Sequence, residues 1–460
     1  MEFFIFDIAL LVLFSIFVII FLYKRRKKID REGILFLYRT KVGIKIIEYI
    51  SKRYAKILSV LKYFVVIIGY GLMIGMLFLI GELVYIFVRF PEFIKAVKIP
   101  PIAPLIPYLP AIFKADFLPP FYFIYWITII ALVAIFHEFS HGIFARNSKI
   151  KIKSTGFAFL GPFLGAFVEP DEKNMKKIKK IDQLAILSAG SFANIILTIV
   201  FFFIFIIFFS VAFSASGIIF NTYTYDIVYA DQITYIDNSS FIVNIDGGLN
   251  LTKIIVNNET YFAETSDLGE ERIIAYDDSP ALNAGLNGVI IKINDDRVIN
   301  EKELSKKIAE YKPGDNIKIT TLLNKTEKEY EIKLEEYPGN KSKPFIGIGF
   351  IDLSSSGLLG GIRNKLTFFR DSNTYYAPKI NEDVTLFIYN FLWWIILINL
   401  SVALVNMLPM SIFDGGRVFY LTMLALTKSE KVSKKIFSAI TILILLIFLF
   451  LMLLWSFSLF

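Results

Sequence analysis

Phe136-His137-Glu138-Phe139-Ser140-His141-Gly142 lies inside an apolar run from Phe121 to Phe144 and contains both histidines of the chain. Four residues apart on a helix, the two imidazoles stack on one face, where they can grip one metal ion, while Glu138 points beside them toward a bound water. The short HExxH pattern also arises by chance in apolar helices. The alternative here is two core histidines and a glutamate buried for packing, and each ionisable group left in hydrocarbon costs about 3 kcal/mol or more unless it is paired or coordinated. The run therefore reads as a zinc site inside a membrane.

Composition agrees with a membrane setting. Hydrophobic residues make up 55% of the chain and Phe alone accounts for 47 positions. Several runs exceed the length that spans a bilayer, which implies a polytopic α-helical membrane protein with about six transmembrane helices. The net charge of +8 raises the possibility of a nucleic-acid partner. The Lys/Arg clusters sit at the ends of apolar runs, however, where the positive-inside rule expects them, so no nucleic acid is implied. The absence of cysteine removes disulfides and thiolate metal sites.

Taken in order, Phe3 to Tyr23 is long enough to span and is followed at once by Lys24-Arg25-Arg26-Lys27-Lys28, which puts the N-terminus outside and this end in the cytoplasm. Residues 1–61 form this first span and a basic cytoplasmic segment, in which Ile44, Ile47, Ile50, Ile57 and Leu58 suggest an interfacial helix. The second span, Tyr63 to Phe90, returns outward. Eight prolines between Pro91 and Pro120 then forbid a regular helix, giving an apolar external loop or re-entrant segment. The third span, Phe121 to Phe144, runs inward and ends at Arg146, Lys149, Lys151 and Lys153. At about 1.5 Å per residue, His137 and His141 lie roughly 24 to 30 Å below its start, in the cytoplasmic half of the bilayer.

Residues 154–170 are too short and glycine-rich to span. Their alternating apolar runs around Gly161-Pro162 read as a short membrane-associated β-hairpin beside the site. The fourth span, Leu184 to Phe213, completes a first membrane part (62–213). It opens on Ser188-Ala189-Gly190-Ser191-Phe192-Ala193-Asn194, whose small residues allow close helix approach and whose Asn194 reads as a packing and orienting residue.

Residues 214–385 turn polar and strand-like, and this topology makes them extracytoplasmic. Five Asn-x-Ser/Thr sequons, at Asn238, Asn250, Asn258, Asn324 and Asn340, fit an exposed domain. Within it, Ser279-Pro-Ala-Leu-Asn-Ala-Gly285-Leu, Val289 to Asn294, a helix from Glu301 to Tyr311 and strands Asn316 to Leu323 and Glu327 to Leu334 resemble a small α+β PDZ domain, at about 270–352. Such domains bind extended peptides by strand addition, so a peptide or an ectodomain is a possible contact. The expected Gly-Asp before the central strand is replaced by Asn287-Gly288-Val289.

The last part, 386–460, holds a fifth span from Val384 to Leu408 and a sixth from Ile436 to Leu459, which leaves the C-terminus outside. The fifth breaks at Asn406-Met407-Leu408-Pro409-Met410-Ser411-Ile412-Phe413-Asp414-Gly415-Gly416-Arg417. With no third histidine and no cysteine, a catalytic zinc needs a carboxylate as its remaining protein ligand, with the fourth position left for water. Asp414 is the one acid at the inner end of this span, a depth matching the histidines. The alternative is an ordinary loop aspartate beside Arg417.

His137-Glu138-x-x-His141 taken with Asn406-x-x-Pro409-x-x-x-x-Asp414-Gly415 is similar to the paired motifs of site-2 intramembrane metalloproteases. The resemblance covers the third to fifth spans and the inserted PDZ-like domain. Ser191 stands where that family usually has proline, and Ile412-Phe413 departs from its common Pro-Leu. The resemblance implies one Zn2+ per chain held by His137, His141 and Asp414, Glu138 as general base, and Asn406 positioning the substrate or stabilising the oxyanion. It implies hydrolysis of peptide bonds in transmembrane segments of membrane proteins, in a multi-pass protein of the cell membrane surrounded by lipid. Other readings are a membrane zinc protease acting on cytoplasm-accessible substrates, a non-catalytic PDZ-bearing scaffold, and a metal transporter. A transporter would carry ionisable residues along a path through the membrane, whereas here they cluster at one level.

Overall fold

In hydrocarbon a helix is the one local structure that satisfies its own backbone, and the long apolar runs take it. A computed structural model describes residues 2–33, 35–90, 100–115, 118–160, 163–243, 249–350 and 367–458. Helix α1 (Glu2–Arg25) leads into strands β1 (Ile29–Glu32) and β2 (Leu35–Thr40), helix α2 (Ile44–Arg53) and the long α3 (Ala55–Arg89). After the proline-rich segment come α4 (Phe123–Asn147), β3 (Ile152–Leu160), β4 (Phe163–Pro170) and α5 (Lys180–Ala212). Among the described residues six helices are long and apolar enough to cross a membrane: α1, α3, α4, α5, and the later α7 (Glu382–Val405) and α9 (Glu430–Ser458).

By internal contacts the chain divides into Met1–Phe205 with Leu386–Phe460, and Ile206–Thr385. In the first unit α4 is the central element. Near its start Tyr125, Trp126 and Ile129 are buried against Trp394, Ile395 and Ile398 of α7, and near its end Phe144 and Ala145 join Ile47, Val65 and Ile186. Its first turn has no cap from its own sequence. Instead Asp7 of α1, buried, accepts from Phe123 N–H (2.6 Å), Ile124 N–H (3.0 Å) and the Tyr108 hydroxyl (2.7 Å). A carboxylate there satisfies orphan donors and complements the positive end of the helix dipole.

Strands β3 and β4 form the hairpin expected from the sequence, while the turn expected at Gly161-Pro162 lies outside the described residues. The hairpin is half of a sheet ordered β1-β2-β3-β4. The segment after α1 is therefore not helical throughout: Ile29 to Thr40 is a second hairpin paired to β3, with Thr40 opposite Thr155. The guanidinium of Arg39 joins the carboxylates of Asp30, Glu32 and Glu169, tying the β1-β2 hairpin to β4. Helix α2 is amphipathic as expected, yet its apolar face packs on protein. Ile47 is fully buried, and a Cβ added at Gly142 of α4 would meet its Cδ1 at 2.9 Å.

The unit Ile206–Thr385 is largely β. Strands β5 (Phe213–Ile218), β6 (Thr222–Tyr223), β7 (Tyr225–Tyr229), β8 (Ile233–Val243), β9 (Leu249–Val256), β10 (Glu259–Glu264) and β11 (Arg272–Asp277) precede β12 (Val289–Ile293), α6 (Glu301–Ile308), β13 (Asn316–Leu323) and β14 (Thr326–Lys333). Strands β15 (Ile348–Gly349) and β16 (Thr374–Pro378) follow. One sheet runs β7-β11-β10-β9-β8 and another β14-β13-β12-β5-β16. Ile218, Ile290, Ile293, Leu304, Ile317 and Ile319 fill the core beneath the second sheet and α6. Asn300 caps α6 by accepting from Glu303 N–H at 2.9 Å.

Candidate metal centre

His137 and His141 occupy the buried side of α4, one turn apart, as helical periodicity dictates. Each ring is fixed through Nδ1. His141 Nδ1 lies 2.6 Å from the carbonyl oxygen of Ile186, which can only accept, so Nδ1 carries the proton and Nε2 a lone pair. His137 Nδ1 lies 3.1 Å from the side-chain amide of buried Asn194. Assigning the amide oxygen to that contact gives His137 the same tautomer and also satisfies an Asn194 oxygen that is otherwise buried without a partner.

The fifth apolar helix ends at Val405, a little before Pro409, and the chain turns back into a further helix, α8 (Asp414–Thr427), absent from the sequence reading. The turn is tight. Asn406 O accepts from Gly415 N–H at 2.8 Å, and a Cβ at Gly415 or Gly416 would lie 2.2 Å from Met407 C or 2.0 Å from Met410 O. The turn delivers Asp414 in the first turn of α8. Its Oδ2 sits 3.4 Å from His137 Nε2 and 3.2 Å from His141 Nε2, and the two Nε2 atoms are 3.1 Å apart.

The donor set then tests for a cation. Two neutral imidazole lone pairs and a carboxylate converge on one point with no hydrogen of their own between them, an arrangement that repels itself unless a positive charge sits there. Ligands held at 2.0–2.1 Å around a tetrahedral zinc stand roughly 3.3 Å from one another, which matches these three separations. The backbone of α5 closes the space: a Cβ at Gly190 would fall 2.4 Å from His137 Nε2 and 2.5 Å from His141 Nε2. The residues present fit a zinc ion.

Glu138 lies beside this group. Its Oε2 accepts from Val168 N–H of β4 at 2.9 Å, and its other oxygen has no hydrogen-bond partner among the described residues. A cavity of about 560 Å3 runs between α4 and α7, with His137, Glu138, Asn406 and Asp414 on its polar side and Ile130, Val133, Ile398 and Val402 on its apolar side. Leu105 of the proline-rich segment also lines it, held by a hydrogen bond from Trp126 Nε1 to its carbonyl at 2.8 Å.

The sequence model of peptidase family M50 matches residues 125–452, a stretch that runs from α4 through α9 and includes every residue of this centre. The chain belongs to peptidase family M50. Members of this family are zinc metalloproteases, and family membership together with the six helices among the described residues that are long and apolar enough to cross a membrane makes this a multi-pass membrane protein. The chain is also 34% identical over 198 residues to an uncharacterized protein of Methanocaldococcus jannaschii, a match covering 40% of this chain and 47% of that relative. The chain thus spans about half the length of the relative it matches.

In this M50 chain the geometry brings His137, His141 and Asp414 within 4.8 Å of one another and sets Glu138 and Asn406 on one cavity wall. Sequence reasoning did not find three participants: Val168, which acts through a backbone N–H and so leaves no side-chain signature; Asp7, whose partner helix begins more than a hundred residues later; and Ile186, which offers only a carbonyl. Gly190 was legible as a close-packing residue, but not as one that packs on the imidazoles.

Proposed function

We propose that this M50 protein is a zinc-dependent endopeptidase that hydrolyses peptide bonds within the transmembrane segments of other membrane proteins. The observation that carries the reading is the convergence of His137, His141 and Asp414 beside Glu138 on a cavity walled by two apolar helices. His137, His141 and Asp414 hold the ion. When bound, zinc supplies Lewis-acid polarisation of the scissile carbonyl and brings the pKa of a water from about 15.7 toward about 7. Glu138 acts as general base: Val168 N–H fixes one oxygen, and the other takes the water's proton and passes it to the leaving nitrogen. Asn406, half-buried on the same wall, positions the substrate or donates to its oxyanion through the side-chain amide.

A helical substrate hides its peptide groups in hydrogen bonds, so it must unwind before attack. Strand β4 supports a place for the unwound segment. It ends its sheet, and Val168 N–H turns away from β3 toward Glu138. In an antiparallel strand every second residue turns the same way, so Leu164 and Ala166 offer their backbone groups along the edge that leads to Glu138. We place the basic ends of the helices, and the site's half of the membrane, on the cytoplasmic side, with both termini and Ile206–Thr385 outside. The PDZ-like segment, at about 270–352, contacts a substrate's peptide or ectodomain.

The test is cleavage of a fluorescently labelled transmembrane peptide by the full chain in liposomes. Cleavage should vanish with a zinc chelator and return with added zinc. Cleavage that persists in chelated, zinc-free protein refutes the proposal.

A further inference from the structure

A second cavity, of about 610 Å3, opens in the membrane unit where α5 begins and α8 passes into α9. Its floor is apolar: Met175 and Leu187 are buried, and Leu421 and Leu424 partly so. Its mouth is cationic, with exposed Lys176, Lys180 and Lys434. The two acids on the rim already have partners, Glu172 with Arg417 at 3.2 Å and Glu430 with Lys434 at 3.7 Å. Lys176 and Lys180 have no acidic partner among the described residues.

Basic residues at helix ends follow from membrane orientation alone, and orientation accounts for Lys428, Lys431 and Lys435 without any pocket. Orientation does not call for a hollow between helices with a buried apolar floor and unpaired ammonium groups at its mouth. That pairing of surfaces complements a molecule with an anionic head and a greasy body, and basic pockets between membrane helices recognise lipid headgroups in this way. The volume lies within the range of small-molecule sites.

We propose that this cavity binds one anionic glycerophospholipid, with its phosphate between Lys176 and Lys180 and its glycerol and first acyl carbons on Met175, Leu187, Leu421 and Leu424. Arg417 lines this cavity and also the one that holds His137, Glu138 and Asp414. A phosphate here competes with Glu172 for Arg417, so the lipid sits at the back wall of the metal centre.

Native mass spectrometry of the purified full chain, titrated with phosphatidylglycerol or phosphatidylcholine, tests the site. One phosphatidylglycerol per chain should be retained in preference to phosphatidylcholine. Lys176→Gln with Lys180→Gln should weaken phosphatidylglycerol about 30-fold, the equivalent of ~1 kcal/mol for each cation facing an anionic surface, and leave phosphatidylcholine unchanged. Lys151→Gln with Lys153→Gln removes two charges from the start of β3, outside the cavity, and should leave retention as it was. Equal loss in the two double variants, or equal binding of the two lipids, overturns the site. Binding of glycerol 1-phosphate as tight as that of the lipid assigns the cavity to a soluble phosphate ester and overturns the lipid proposal.

Discussion

Gly190→Ala isolates the packing of α5 against the imidazoles. Side-chain Cβ atoms essentially never approach a heavy atom within 3.0 Å, whereas the new one would stand 2.4 Å from His137 Nε2 and 2.5 Å from His141 Nε2, so each nitrogen has to retreat by about 0.5 Å. Neither ring is free to do so, because His141 is held to Ile186 O at 2.6 Å and His137 to the Asn194 amide at 3.1 Å. Losing a buried hydrogen bond of this kind costs about 1–3 kcal/mol, so the two together cost at least ~2 kcal/mol of binding, or about 30-fold in zinc affinity. Perturbing such outer partners of metal ligands lowers affinity by about 10–100-fold, in the same range. The assay is zinc titration of the purified protein against a competing chelator. Gly165→Ala is the control, since its Cβ would meet nothing closer than Ala158 O at 3.8 Å. A Gly190→Ala protein that binds zinc within about threefold of its parent refutes the packing argument.

Three further outcomes follow from single contacts. Asp7→Ala leaves the N–H groups of Phe123 and Ile124 and the Tyr108 hydroxyl without their acceptor, and should destabilise the protein by about 2–4 kcal/mol, read as a fall in thermal midpoint; an unchanged midpoint removes Asp7 from the start of α4. Ala166→Pro deletes an outward N–H from the edge of β4 without touching the ladder to β3, and should abolish cleavage of a transmembrane peptide in protein that still melts cooperatively; undiminished cleavage ends the strand-addition idea. Burial, reinforced by the neighbouring charges of Asp226 and Glu259, raises the pKa of Asp277 above its ordinary 3.8, so its charged form opposes folding and the penalty appears as pH rises through the raised value. Asp277→Asn should therefore raise the melting temperature of the full chain at pH 7 by about 1–2 °C, with the gain fading toward pH 4, and a gain that is constant with pH contradicts the assignment.

The membrane helices were legible because length and hydropathy alone specify them, and Phe3 to Tyr23 or Phe121 to Phe144 allows no other economical structure. Asp414 was legible for a different reason. In a chain with two histidines and no cysteine, the ligand count left a carboxylate as the remaining donor, and depth selected this one. Strands β1 and β2 escaped because the hairpin they form is anchored through β2 to β3, more than a hundred residues downstream, so nothing local separates Leu35 to Thr40 from the amphipathic helix that follows. Helix α8 escaped because the sequence marks Pro409 as an end but does not show that the chain restarts as a helix at Asp414. Contacts made by backbone atoms, such as Val168 N–H on Glu138 and Ile186 O on His141, are outside the reach of residue patterns altogether.

The central claim is that Glu138 moves the proton at a zinc centre built by His137, His141 and Asp414. Glu138→Gln keeps the shape of the side chain and its contact with Val168 N–H but removes the base, so the most direct measurement is zinc content and peptide cleavage on the same purified variant. The account predicts zinc retained near one ion per chain, with cleavage reduced by a factor on the order of 10²–10⁴. Full cleavage with zinc bound would contradict it.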